Sequence, residues 1–88
     1  MIETLMDEIK ATKQTISKLY KAGVLSMDPY ESKVHLSSDM FHQNFKDYTV
    51  IDRADIVYPL QIEAEVDGIK FYAVLDYKEA IEEYKEAV

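Results

Sequence analysis

The chain contains no cysteine. That excludes disulfide scaffolds, thiolate zinc centres and cysteine nucleophiles. It has only two glycines and two prolines, so loops are expected to be short and few, and no glycine-rich phosphate-binding loop is present. No apolar run approaches the length of about 18 residues that marks a membrane-spanning helix. The opening MIETLMDEIK lacks the charged-then-apolar order of a signal peptide. The expected location is the cytoplasm, with no membrane partner.

Positive charge is also scarce: ten lysines and arginines stand against seventeen acids, a net charge of −7. The imbalance is local. Residues 1–33 are neutral, with no acid between Glu8 and Asp28 while Lys10, Lys13, Lys18 and Lys21 fall in that window; residues 34–88 carry the whole −7. A nucleic-acid binder normally concentrates positive charge, so direct nucleic-acid binding is disfavoured and a basic protein partner fits better.

Eighty-eight residues, 48% of them hydrophobic, make one domain, 1–88, with ordinary globular composition and a small core. Oligomerisation would add stability to a domain of this size. Ile2, Leu5, Ile9, Thr12, Ile16, Leu19 and Gly23 recur at alternating spacings of three and four, with Met6 and Tyr20 widening the stripe. This predicts a helix over 2–22 stopped by Gly23. The same stripe suits packing on a sheet or, through Ile2, Leu5, Ile9, Ile16 and Leu19, self-association of the helix in a homodimer.

Residues 24–32 read as a connector turning at Asp28-Pro29. SKVHL (32–36) reads as a short strand, and Ser37-Ser38-Asp39 offers N-cap chemistry for a helix running to about Lys46, with Phe41 and Phe45 on one face. A strand is expected over 48–53, then a hairpin over 58–75. In LQIEAEVDGIKFYAVL the dipeptide Asp67-Gly68 favours a two-residue type I′ turn. That turn sets Val66 against Ile69, Ala64 against Phe71, Ile62 against Ala73 and Leu60 against Leu75, an all-apolar core face. The opposite face carries Glu65 with Lys70, Glu63 with Tyr72 and Gln61 with Val74. An acidic tail places Tyr77, Ile81, Tyr84 and Val88 on one helical stripe. The expected fold is α+β, in the order α-β-α-β-β-β-α, with the long N-terminal helix packed on a small antiparallel sheet.

No catalytic set is evident. His35 and His42 are the only histidines, with Asp39 three residues before His42; no metal-ligand motif links them, so no metal or cofactor is expected. Glu82-Glu83 reads as solvated charge, and Ser37-Ser38 as a cap. The ten tyrosines and phenylalanines stand out. Tyrosine suits partly exposed contacts, which marks Tyr58, Glu63, Glu65, Lys70, Tyr72, Val74, Tyr77 and Tyr84 as a candidate interaction face. If the acidic tail packs over the Tyr72 side of the hairpin, that face is closed; if not, it is open.

The segment SSDMFHQNFKDYTVIDR followed by YPLQIEAEVDGIKFYAVLD resembles small uncharacterised proteins encoded by phages and prophages of Gram-positive bacteria, over less than half the chain. Those share a short helix ending in an aromatic pair, a YP strand start and a second strand of the type DG(V/I)KFxAL. The resemblance implies a cytosolic accessory protein of a phage or mobile element, and it carries no catalytic residues. The expected function is a non-enzymatic protein–protein interaction module, homodimeric if the first helix self-associates. The alternatives are an acidic inhibitor of a nucleic-acid enzyme that presents carboxylates in place of phosphates, and a small enzyme using His35 or His42.

Overall fold

The tightest local specification in the chain is met in its register. In a computed structural model that describes residues 1–87, with side chains through residue 85, strands β4 (Leu60–Val66) and β5 (Ile69–Leu75) form an antiparallel hairpin. Its register runs from Val66 opposite Ile69 to Leu60 opposite Leu75. Asp67 and Gly68 both take positive φ, 51° and 79°, as a type I′ turn requires. Leu60, Ile62, Ala73 and Leu75 are buried, and Ala64 and Phe71 pack against them. Val66 and Ile69, expected in the core, are exposed. They sit at the turn, beyond the residues that pack on this face.

The remaining elements are α1 (Ile2–Ala22), β1 (Val24–Asp28), β2 (Lys33–Leu36), α2 (Ser38–Asn44), β3 (Thr49–Asp52) and α3 (Tyr77–Ala87). The class is α+β as expected, with one strand more. Residues 24–28 are a strand rather than part of a connector, and β1 pairs antiparallel with β2. The turn between them is held by Asp28, whose Oδ1 accepts the backbone N–H groups of Tyr30 and Glu31 at 3.0 and 3.2 Å. A register shift between Val24 and Ser26 weakens the alternation of this edge strand, which is why its sequence does not read as one.

The five strands lie in the order β1-β2-β5-β4-β3. The sheet is mixed, not antiparallel, because β2 runs parallel to β5. Helix α2 is the crossover from β2 to the far edge, which lays it across the apolar face of the hairpin. Ser37 caps it by accepting the Met40 N–H. Phe41, fully buried, is the residue it drives into the core. Each large buried side chain of this cluster, Phe41, Leu60, Ile62 and Leu75, contributes about 2 kcal/mol by leaving water.

Helix α1 does not pack on the sheet. None of its residues is buried; Leu19, half-buried, packs against the core cluster. The helix projects from the β1 edge, and the molecule measures 57 × 24 × 23 Å with a radius of gyration of 16.0 Å, against about 12 Å for a compact chain of this length. Two short helices already cover the apolar face, so no place on it is left for a third. Gly23 ends α1 at φ 112°, and a Cβ there would lie 2.8 Å from Ser37 Oγ and 2.9 Å from Met40 Cβ. Gly23→Ala therefore adds backbone strain to a clash, at a cost of about 2 kcal/mol or more. A thermal melt should fall by about 10 °C; an unchanged melting temperature would show that the junction is not held as described.

Helix α3 packs on the same side as α2, and its register is rotated from expectation. Ala80 and Glu83 face inward, while Tyr77, Ile81 and Tyr84 are 52–61% exposed. Val88, assigned to the same stripe from sequence, lies outside the described residues. The inward face is fixed by polar contacts to α2 and to Tyr48, just before β3. Ser38 Oγ donates to Glu79, the Tyr48 hydroxyl donates to Glu83, and His42 Nε2 lies 3.2 Å from Glu83 Oε2. Glu83, read from sequence as solvated, is the one buried charged residue among those described.

Candidate interaction face and the histidine sites

Because α2 and α3 both lie on one side of the sheet, no helix among the described residues covers the Tyr72 side. The alternation of β4 and β5 puts Gln61, Glu63, Lys70, Tyr72 and Val74 there, and the parallel pairing of β2 adds Lys33 and His35, aligned with Lys70 and Tyr72. Arg53 and Tyr58, from the loop before β4, close one side, and Met27 and Asp28 of β1 close the other. The result is an open basin of about 620 Å³.

At its centre the rings of His35 and Tyr72 stack, with centroids 4.7 Å apart and planes 7° from parallel. Lys33 and Lys70 are neighbours across strands, a like-charge arrangement that costs stability unless answered. Lys33 Nζ is 3.1 Å from Glu31, and Lys70 Nζ is 3.7 Å from Glu63. Lys70 thus bonds diagonally to Glu63 rather than to Glu65 directly opposite. Arg53 donates to the Tyr58 carbonyl at 3.3 Å. The basin wall carries three carboxylates, Asp28, Glu31 and Glu63, and three cations, Lys33, Arg53 and Lys70. Its charge is balanced, although the body as a whole is acidic.

His35 Nε2 is buried with no hydrogen-bond partner among the described residues. Burial, and secondarily the charge on Arg53, holds its pKa below the ordinary value of 6.5. The sign of the consequence follows from linkage. The unfolded ring takes its proton at a higher pH than the folded one, so His35 supports the fold fully above 6.5. That support is lost as the pH falls through the lower, folded value. Thermal melts taken from about pH 7.5 down to about pH 5 should fall more steeply for the natural chain than for His35→Phe, which keeps the stack and does not titrate. Parallel curves would show that His35 titrates alike folded and unfolded.

The second histidine belongs to the α2–α3 contact. His42 Nδ1 lies 2.9 Å from the Ser38 carbonyl and Nε2 faces the Glu83 carboxylate. Both ring nitrogens thus meet oxygen acceptors, and a neutral imidazole carries a single N–H. Both contacts are hydrogen bonds together only with a doubly protonated ring or a protonated Glu83. Ser38 Oγ is committed to Glu79 and not to His42, so the serine and histidine do not form a nucleophile–base pair. His42 does not pair with Asp39. His35 and His42 lie on opposite sides of the sheet, and the described residues hold no group of three or more His, Asp or Glu side chains arranged for a metal ion.

Of the face predicted from sequence, Tyr58, Glu63, Lys70, Tyr72 and Val74 come together around the basin. Glu65 shares their side of β4 but stands exposed near the turn. Tyr77 and Tyr84 are elsewhere. They line a groove of about 180 Å³ on the helix side with Ile81, Pro59 and Leu60. Sequence reasoning did not place His35, Lys33, Arg53 or Met27 on this face: the β2–β5 pairing joins residues 37 apart, Met27 arrives through the β1–β2 pairing and Arg53 through a loop, and none of these leaves a local signal. No helix among the described residues is long and apolar enough to cross a membrane. The chain matches no family model, no curated protein and no solved structure.

Proposed function

We propose that the chain is a non-enzymatic protein-interaction module, an accessory protein of a phage or prophage, that holds a protein partner of positive charge on the basin around Tyr72. The observation that carries this reading is the bare second side of the sheet, where a stacked His35–Tyr72 pair sits among Val74, Met27 and Tyr58 with charged groups at the edges. An aromatic centre with a polar rim is the usual composition of a contact surface. The net charge of −7 draws a basic partner over distance, and the Glu31–Lys33 and Glu63–Lys70 pairs orient it on arrival.

The phosphate-mimicking inhibitor retains the net charge in its support, but many of its carboxylates are engaged within the fold. Glu79 and Glu83 accept from Ser38 and Tyr48, and Asp28, Asp52, Asp55 and Asp76 accept backbone N–H groups. The test of the leading reading is affinity capture from a bacterial host lysate at two salt concentrations. The partner held by the natural chain should be lost, by about 30-fold in affinity, from Tyr72→Ala. Undiminished retention of every captured protein would end this reading of the face.

A further inference from the structure

We infer that α1 pairs with α1 of a second copy of this chain, in antiparallel orientation, to form a homodimer through a two-helix seam. This goes beyond the basin reading, since it concerns the α1 stripe, which meets the edge of the basin at Met27, and a different partner. Ile2, Leu5, Met6, Ile9, Ile16 and Tyr20 are 48–71% exposed on the projecting helix. They lie on one stripe whose three-and-four spacing matches the seam of a coiled coil. Thr12, the polar member, donates its hydroxyl to the Glu8 carbonyl at 2.8 Å, so it enters the seam already satisfied.

Area, charge and continuity together select the occupant. The stripe and the adjoining Leu25 expose on the order of 700 Å² per chain, and pairing two copies buries on the order of 1,200 Å², the lower end of the range for specific interfaces. Glu3, Asp7 and Glu8 occupy the first third of the helix and Lys10, Lys13, Lys18 and Lys21 the rest. An antiparallel pair sets the acidic end of one helix against the lysine-rich end of the other and opposes the helix dipoles favourably; a parallel pair sets like ends together. The seam then runs Ile2 against Leu19 of the second copy, Leu5 against Ile16 and Ile9 against Thr12. At the base of α1 the apolar surface continues into a groove of about 170 Å³ between Ile16, Tyr20, Leu25 and Met27. The antiparallel register brings the N-terminal residues of the second copy to this groove.

The chain has no cysteine, so introduced thiols report the geometry without interference. Light scattering across a micromolar concentration series should give a dimer for the natural chain and a monomer for Leu5→Glu/Ile9→Glu, which alters no core residue. In the antiparallel seam two copies of residue 5 stand about 16 Å apart along the axis, too far to join. Oxidation of a Leu5→Cys chain mixed with an Ile16→Cys chain should then give at least about ten-fold more cross-linked dimer than either alone. A monomer at the highest concentration overturns the proposal, and so does cross-linking of Leu5→Cys to itself. Either result leaves the Tyr72 test untouched, and loss of partner capture in Tyr72→Ala leaves the dimer untouched.

Discussion

Phe41→Ala is expected to remove about half of the folding stability of the chain. The ring is fully buried and meets Phe45 at 4.9 Å, Tyr48 at 5.3 Å and His42 at 6.2 Å between centroids, with Phe45 continuing to Phe71 at 5.4 Å. Truncating a buried phenylalanine costs about 3–5 kcal/mol in lost burial and residual cavity. A domain of this length is stable by on the order of 5–10 kcal/mol in all. Helix α1 buries no residue, so the body must supply that stability almost alone. About half of the margin therefore disappears with one side chain. Urea denaturation followed by circular dichroism should show the transition shifted to lower denaturant; a midpoint within error of the natural chain would mean that Phe41 is not the residue α2 uses to hold the sheet.

Glu83→Ala should destabilise the fold by about 2–3 kcal/mol, while its neighbour Glu82→Ala should stay within about 0.5 kcal/mol. The two glutamates are adjacent in sequence and opposite in environment. Glu82 is exposed and pairs with Lys85 at 3.6 Å, a surface contact of little worth. Glu83 is buried and receives the Tyr48 hydroxyl on one oxygen and faces His42 Nε2 with the other. Its removal takes away the acceptor that joins α3 to α2 and to the segment before β3. Glu83→Gln makes the sharper comparison. Its amide oxygen can accept from Tyr48 while its NH2 donates to Nε2 of a neutral His42, whose Nδ1–H then donates to Ser38. Near neutral pH that variant should lie within about 1 kcal/mol of the natural chain, because hydrogen bonding and not charge is what the site needs. A Glu83→Gln chain as unstable as Glu83→Ala would show that the ion pair with His42 matters most.

The legibility of this fold divides by range. The Asp67-Gly68 turn, the alternating strands beside it and the Ser37 cap are local features, and each was met with its expected register. The basin was only half legible. Tyr58, Glu63, Lys70, Tyr72 and Val74 follow from hairpin parity, but His35 and Lys33 join them through a parallel pairing whose partners are 37 residues apart in sequence. Strand β1 escaped because its side chains are mostly exposed and its pairing is shifted. Glu83 escaped because an acid in an acidic helix carries no mark of burial; Tyr48 and His42, which make burial acceptable, lie 35 and 41 residues away.

By itself the sequence determined one turn, one hairpin register, the apolar face of that hairpin, and the existence of two amphipathic helices at the ends. The tertiary structure alone decided what those helices do. A stripe of apolar residues states that a face gains by being covered; it does not state by what. On this sheet α2, as the crossover between β2 and β3, fills the apolar side. Ser38, His42 and Tyr48 then hold α3 by Glu79 and Glu83, turning Tyr77, Ile81 and Tyr84 outward. With that side occupied, α1 keeps its stripe exposed and the Tyr72 side remains bare. Both surfaces offered for binding are thus products of which helices took the core, a competition between distant segments that no local pattern records.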